Sequence, residues 1–491
     1  MATSAVHCAR EGVKRSSEEA SDAKGYEALE CARALVGRSF PALFARVVTS
    51  VTALAEGYSL GCISGVAVLL REDLKFTSKQ VGVLLGIMNY AVMCGAPLGG
   101  WMADALGRKK ALALTYVMLI VGALTMVTAQ NFMHAFLGCV VTGMGVGVGL
   151  SVVTSYITEV SPKRYRGTLV GLQEFFFIIG IACGYVLNYA LDIPGYGWRY
   201  MVGIGAITPM GAMLMLLLPH FLESPRWTML RGQLAQAEAD LRLLVGHDEA
   251  REMLQEWGRP VPLCTWAEVL SPKGTWRRQS LRVAVVIMAL ALICGIGTTT
   301  VYMGTIFATD VNHREASKLT SIIGVLRIVV QAVSSFVLVD LWGRRPLMLV
   351  SLAGATLALG ATAIAYWAQA AMMPYKFLPL LAFNLVFSFG LGPVTYTYPA
   401  EIMPSDIRSK GVSLGSMVGR GLSGTINIMF PVAMDAIGLA GIFACFAAVN
   451  SVGLAFVFLC APESKGHSLE EMHALFPSGE EQQEDGDKHN A

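Results

Sequence analysis

The sequence predicts an all-α polytopic membrane protein, with twelve transmembrane helices arranged as two pseudo-symmetric six-helix bundles. Three observations support this prediction: an apolar composition, twelve apolar stretches of membrane-spanning length, and motifs that recur at nearly one offset. Of the 491 residues, 54% are hydrophobic and 15% are charged, whereas soluble domains carry about 25% charged residues. The net charge of +2 argues against a nucleic-acid-binding protein, which must neutralise many phosphates.

The twelve apolar stretches each end in charged or turn-forming residues. A helix needs about 20 residues to cross the hydrocarbon core of a membrane. None of the stretches alternates with the period of two that a membrane β-barrel requires, so we expect helices. The stretches lie at 43–70, 80–103, 111–129, 134–158, 168–190, 199–221, 281–308, 317–339, 347–369, 376–400, 411–436 and 440–461.

These stretches divide the chain into five regions. Lys and Arg concentrate in the connections after the second, fourth, eighth and tenth stretches, and the positive-inside rule assigns that side to the cytosol. Both termini are then cytosolic. We expect a flexible cytosolic tail (1–41), a six-helix bundle (42–222, the N-half), a cytosolic helical linker (223–280), a second six-helix bundle (281–461, the C-half) and an acidic cytosolic tail (462–491).

Three motifs recur between the two halves, each in the matching connection. The recurrence indicates an internal duplication, and duplicated bundles with a site between them are typical of alternating-access carriers. The pairs are Asp104-x-x-Gly107-Arg108 with Asp340-x-x-Gly343-Arg344 (offset 236), Glu159-x6-Arg166 with Glu401-x6-Arg408 (offset 242), and Glu223-Ser224 with Glu463-Ser464 (offset 240).

The first two motif pairs place acids and bases at the cytosolic ends of helices. Glycine permits a tight turn there, and basic side chains can bond both helix-terminal carbonyls and a neighbouring acid. We predict a gate network that holds the cytosolic side shut in one state and parts in the other. The alternative interpretation is that these charges only determine membrane topology. Two clusters at matching positions of the repeat favour the gate network over that alternative. The predicted members are Asp104, Gly107, Arg108, Glu159, Arg166, Asp340, Gly343, Arg344, Glu401 and Arg408.

Several strings resemble the sugar porters of the major facilitator superfamily, over about 40–475. They include GGWMADALGRKK (99–110), ESPRW (223–227) and PESKGHSLEEM (462–472). Within that family the chain is most similar to plant polyol and inositol carriers, through GLQEFFFIIG (171–180) and GLGPVTYTYPAE (390–401). The resemblance implies the twelve-helix major facilitator fold, a central sugar-sized cavity, and transport of a hexose, polyol or inositol either as facilitator or as proton symporter. We expect the protein in the plasma membrane.

The sequence departs from symporting relatives at the proton relay. In those relatives an aspartate follows the Gly-Tyr pair of the first span, and an arginine in the fourth span is its partner. Here these positions are Ser59 and Cys139. Losing both members leaves no stranded charge, so we expect facilitated diffusion rather than proton symport. Glu56, Glu174 and Arg327 are the remaining candidates for proton coupling.

The solute site also departs from the family pattern. The seventh span lacks the two glutamines that grip sugar hydroxyls in relatives, and the acid or amide that follows them is Gly297. Thr298 and Tyr302 are four residues apart and share a helix face, so they could supply replacement hydroxyls. The family tryptophan of the tenth span is Tyr396. The predicted solute contacts are Gln173, Glu174, Thr298, Tyr302, Asn384 and Tyr396.

Other function classes find little support in the sequence. It contains no histidine cluster with metal-ligand spacing, nucleophile elbow or Walker loop, so we expect neither an enzyme nor a bound metal or cofactor. The expected partners are the solute, protons as a candidate, and the lipid bilayer. One copy suffices for the predicted cavity. The alternative is a non-transporting solute sensor of the same fold.

Overall fold

The computed structural model is helical throughout its regular elements, over the residues that it describes. These are 40–161, 166–191, 193, 196–257, 266–271, 274–369, 372–404, 407–465 and 476. Within them, eleven helical segments are long and apolar enough to cross a membrane. The predicted all-α polytopic membrane fold is therefore confirmed.

The described helices of the N-half follow the first six predicted spans. They are α1 (Phe40–Asp73), α2 (Ser78–Leu106), α3 (Arg108–Val127), α4 (Phe132–Val160), α5 (Arg166–Ala190), α6 (Gly197–Ile204) and α7 (Ile207–Leu217). The last two form one span together. Four shorter helices follow: α8 (Pro225–Leu230), α9 (Leu234–Val245), α10 (His247–Trp257) and α11 (Trp266–Leu270).

The C-half contains interrupted spans. Its helices are α12 (Thr275–Ile293), α13 (Ile296–Phe307), α14 (His313–Val333), α15 (Val339–Trp342), α16 (Arg344–Trp367), α17 (Pro374–Phe389), α18 (Leu391–Ile402) and α19 (Arg408–Cys460). Gly295, with φ 104°, separates α12 from α13. Gly390 separates α17 from α18, and a π-helical turn at Ser334–Leu338 joins α14 to α15. Broken helices of this kind are found where transporters bind their solutes.

Local side chains determine where several helices begin. The backbone N–H of Gln80 donates to Thr77 Oγ1 at 3.2 Å, and the N–H of Thr77 donates to Gln80 Oε1 at 2.9 Å. This capping box starts α2 by satisfying amide groups that have no partner within the helix. Asn131 caps α4 and Asn312 caps α14 in the same general way, each accepting a bond from a first-turn amide at 2.9 Å.

The long helix α19 contains two membrane spans. Its backbone leaves helical geometry at Gly438, where φ is 66° and ψ is 175°. Gly415, before the break, and Gly453, after it, pack against Met288 and Leu290 of α12 respectively. A straight helix rises about 1.5 Å per residue and could not bring residues so far apart in sequence to the same level of α12. The chain therefore reverses at Gly438, as expected for the eleventh and twelfth spans.

The two halves present their charged motifs on the same face of the protein. Gly82 of α2 packs on Pro431 of α19, and further along α2 the Met93 side chain packs on Gly421. Residue numbers rise in α2 as they fall in α19, so the two helices are antiparallel. The end of α2 and the start of α19 at Arg408 consequently share one face, which we call the network face.

Hydrogen bonds join the halves toward the other face, which we call the opposite face. Ser64 Oγ of α1 accepts from the backbone N–H of Gly304 at 3.1 Å. Tyr185 donates its phenol to the Thr300 carbonyl at 2.7 Å, and its own carbonyl accepts from Ser321 Oγ at 2.8 Å. Both α1 and α12–α13 run from the network face toward this contact. In the described residues, the halves are thus sealed together near the opposite face.

Candidate functional site

The N-half carries a buried charge network at the network face. The Arg108 guanidinium donates to Glu159 Oε1 at 2.7 Å and to Asp104 Oδ1 at 3.1 Å. Ser224 Oγ donates to the second oxygen of Glu159 at 2.6 Å. Glu223 accepts the backbone N–H of Arg108 at 2.7 Å. The network therefore ties the end of α2 and the start of α3 to α4 and to the start of the linker.

The C-half repeats this geometry with the duplicated residues. Arg344 donates to Glu401 Oε1 at 2.9 Å, and Ser464 Oγ donates to Glu401 Oε2 at 2.6 Å. Glu463 accepts the backbone N–H of Arg344 at 3.0 Å. Three contacts thus recur in both halves: arginine to glutamate, serine to the other oxygen of that glutamate, and the arginine backbone N–H to a second glutamate. The two copies form matched clusters on the network face.

Two glycines make these clusters possible. Gly107 and Gly343 have φ of 92° and 90°, values that residues with a side chain rarely adopt. A Cβ atom at Gly107 would collide with Glu223, and one at Gly343 would lie 2.9 Å from Glu463. Glycine at both positions lets a glutamate approach the first backbone amides of α3 and α16, where the helix dipole favours a negative charge.

Three predicted gate residues lie apart from the contacts described above. Arg408 donates to the Met403 carbonyl at 3.1 and 3.2 Å. The side chains of Arg166 and Asp340 lie outside what the structure describes. The predicted gate network did not include Glu223, Ser224, Glu463 and Ser464. Their Glu-Ser repeat at offset 240 is the sequence feature that could have identified them.

Two predicted solute contacts of the seventh span are already engaged within the C-half. Thr298 Oγ1 donates to Asn427 Oδ1 at 2.8 Å, and the Tyr302 phenol donates to the Asn427 carbonyl at 2.7 Å. Tyr302 also stacks on Phe430, with ring centroids 4.3 Å apart. Both side chains are buried. In this conformation α13 is fastened to α19 through the hydroxyls that were predicted to face the solute.

The other uncharged solute candidates lie on different helices. Asn384 of α17 is fully buried, donates to the Leu380 carbonyl at 2.9 Å, and has no described partner for Oδ1. Gln173 of α5 accepts from Thr154 Oγ1 at 3.2 Å. It lines a cavity between α1, α4 and α5 on the network side of the N-half. Tyr396 of α18 is partly exposed.

Charged groups from both halves lie within electrostatic range of each other in the interior. Glu174 of α5 lies within electrostatic range of Arg327 on α14 and of Arg420 on α19. Arg327 is buried and donates from Nε to Ser388 Oγ at 3.1 Å. The acid therefore comes from the N-half and the two guanidinium groups from the C-half. Charges placed this deep in a membrane protein are costly unless they face each other or a wet cavity.

Glu56 is the most isolated of the interior charges. It has no solvent exposure, and neither carboxyl oxygen has a hydrogen-bond partner among the described residues. Its carboxyl fills the space beside Gly149 of α4, where any larger residue would collide with it. Arg420 and Glu174 are the charged groups within electrostatic range. Glu56 thus lies inside the N-half bundle, at the edge of the group formed by Glu174 and the two arginines.

The usual relay positions hold groups without charge. Ser59 Oγ donates to the Ala55 carbonyl of its own helix at 3.0 Å. Cys139 is buried, with its sulfur 3.6 Å from Met126 Sδ. Neither side chain makes a described contact with Glu56. The structure therefore contains no charged pair at the two positions where symporting relatives have one.

Comparisons with known proteins agree with this architecture. Residues 45–476 match the family described as "Sugar (and other) transporter". Putative polyol transporter 1 of Arabidopsis thaliana is 32% identical over 478 residues, covering 90% of this chain and 92% of that protein. Glucose transporter GlcP of Staphylococcus epidermidis is 29% identical, covering 87% and 95%. The inward-open xylose transporter XylE from E. coli superposes with a TM-score of 0.74 at 22% identity, covering 88% and 99%.

These findings confirm the predicted fold and the predicted resemblance. The similarity to XylE, whose bound structure is described as a major facilitator superfamily protein, shows that this chain has the same fold. The relatives are membrane transporters rather than enzymes. Because the family match spans most of the chain, the protein belongs to the sugar (and other) transporter family.

Proposed function

We propose that this protein carries a small polyhydroxylated solute, a hexose, polyol or inositol, across the plasma membrane by alternating access, with both termini in the cytosol. One observation carries the proposal. Matched charge clusters occupy one face in both halves, while the hydrogen bonds that Ser64 and Tyr185 make with the C-half lie toward the opposite face. A carrier of this kind needs two faces that can close in turn.

The solute class is supported by relatives and by the interior groups. The names of the Arabidopsis relatives specify polyols, and that of the Staphylococcus epidermidis relative specifies glucose. Glu174 is the central contact in this proposal, because it lies between the halves within range of two guanidinium groups. A carboxylate can accept hydrogen bonds from several hydroxyls at once. Gln173, Asn384, Tyr396, Thr298 and Tyr302 complete the proposed solute contacts.

Facilitated diffusion is the proposed mode of transport. Ser59 and Cys139 cannot form the charged pair of a proton relay, and both already make contacts of their own. Glu56, Glu174 and Arg327 stay the candidates should protons be coupled. The gate network is proposed to part when the cytosolic side opens. A single copy is sufficient for this cycle.

The test is uptake into proteoliposomes containing the purified full-length protein. We expect saturable flux of at least one of sorbitol, myo-inositol, glucose and xylose. Glu174→Gln should raise KM for that solute about tenfold, the effect of losing about 1.4 kcal/mol of binding. Glu238→Gln, on the exposed linker helix α9, is the matched control and should behave as wild type. The absence of saturable flux for all four solutes would overturn the proposal.

A further inference from the structure

We propose that the side-chain amide of Asn427 on α19 donates a hydrogen bond to one hydroxyl of the solute. It would replace the amide groups that the seventh span lacks. The proposal rests on the proposed function and adds a specificity residue that lies outside the sequence-predicted contacts. Asn427 is fully buried. Its Nδ2 has no hydrogen-bond partner among the described residues.

The orientation of the Asn427 amide is set by the seventh span. Thr298 donates its hydroxyl to Asn427 Oδ1 at 2.8 Å, and Tyr302 donates to the Asn427 carbonyl at 2.7 Å. The bond from Thr298 fixes Asn427 Oδ1. Both N–H groups of Nδ2 are left without a described acceptor. A buried donor without a partner costs about 1–3 kcal/mol. A partner that arrives with the solute would remove that cost, which makes Nδ2 a selective donor.

The position of Asn427 on its helix connects it to the interior charges. Arg420, Ser423 and Asn427 are three and four residues apart, so they form one stripe along α19. Ser423 lies against Gly297 of α13. Arg420, at the other end of the stripe, lies within electrostatic range of Glu174 in the N-half, and its Nε also has no described partner. The stripe therefore extends from the seventh span to the group proposed to contact the solute.

A purely structural role for Asn427 would look different. Asn450, also on α19 and fully buried, provides the comparison. Its Nδ2 donates to the Cys294 and Phe446 carbonyls, both at 2.8 Å. The Asn450 amide thus donates once to the residue that follows α12 and once within α19, whereas the Asn427 amide donates to no described residue. Asn450 is accordingly the matched control for loss of a buried amide from the same helix.

The experiment compares KM values in proteoliposomes for the best-transported solute among sorbitol, myo-inositol, glucose and xylose and for its singly deoxygenated analogues. In the wild type, one analogue should have a KM about tenfold higher than the unmodified parent solute. That analogue lacks the hydroxyl that accepts the hydrogen bond from Asn427. In Asn427→Ala the parent KM should rise to the analogue's value, and that of the analogue should not change. Asn450→Ala should lower thermal stability and leave the discrimination intact.

Thr298→Val provides a second variant in case Asn427→Ala folds poorly. It removes the Thr298 hydroxyl that orients the amide, and it should weaken the same discrimination by a smaller factor. An unchanged KM in both variants, or an equal rise for the parent and every analogue, overturns the role of Asn427 and leaves the carrier function standing. No flux of any parent solute in the wild type overturns both proposals.

Discussion

Replacing Arg108 with methionine tests how much the two matched clusters differ in strength. In the N-half, the side chains of Arg108 and Glu159 are only 7% and 8% exposed, and their closest atoms lie 2.7 Å apart. In the C-half, Arg344 and Glu401 are 17% and 33% exposed at 2.9 Å. The arginine–glutamate contacts are alike in kind, and they differ in burial.

That difference sets the expected magnitude. Removing one partner of a buried ion pair costs about 3–5 kcal/mol, because the other charge is left buried and unpaired. A solvent-exposed pair contributes about 0–1 kcal/mol, and the Arg344 pair lies between these limits. Arg108→Met should therefore destabilise the protein by about 2 kcal/mol more than Arg344→Met does.

The assay is thermal denaturation of the two variants and wild type in one detergent, with the double variant Arg108→Met/Glu159→Met alongside. The midpoint temperature should fall much further for Arg108→Met than for Arg344→Met. The double variant should recover most of the loss, since replacing both charges with apolar residues of similar size leaves no unpaired charge. Equal losses in the two single variants, or a double variant no better than Arg108→Met, would refute the reasoning from burial.

Two further predictions concern the interior. Glu56→Gln should leave downhill uptake within about twofold of wild type between pH 5.5 and 7.5. The reason is that a neutral amide fits a site that offers the carboxyl no described hydrogen-bond donor. Uphill uptake that is driven by a pH gradient in wild type and lost in this variant would contradict facilitated diffusion. Tyr185→Phe removes the bond to the Thr300 carbonyl, worth about 1 kcal/mol, and should shift the population about fivefold toward the state open at the opposite face. Alkylation of an introduced cavity cysteine by an impermeant reagent measures this shift. Tyr116→Phe, whose bond to Thr52 lies within the N-half, should not change the labelling, and equal labelling of both variants would count against a seal at Tyr185.

The gate network shows how far local sequence reaches. The duplicated spacing identified Arg108, Glu159, Arg344 and Glu401, and these residues pair in the structure. The spacing did not indicate that Arg408 bonds the Met403 carbonyl. An arginine at a helix end can bond helix-terminal carbonyls as well as an acid, and motif spacing alone does not specify which carbonyl lies within reach.

The solute contacts show where sequence reasoning stops. Thr298 and Tyr302 were placed correctly on one helix face, because helical periodicity is a property of the chain itself. Their bonds to Asn427 join residues more than 120 positions apart, and no local pattern encodes such a contact. Asn427 was detectable only as an amide within an apolar span, where polar residues are rare and often functional.

By itself, the sequence determined the membrane-spanning character and the duplication, since hydropathy and motif spacing are properties of the chain itself. The tertiary structure decided which buried polar atoms find partners. It left the Glu56 carboxyl and the Asn427 amide donors without partners among the described residues, and it sealed the halves toward one face. Those outcomes depend on how helices distant in sequence pack together, because a buried polar group is satisfied only by whatever the neighbouring helix presents to it.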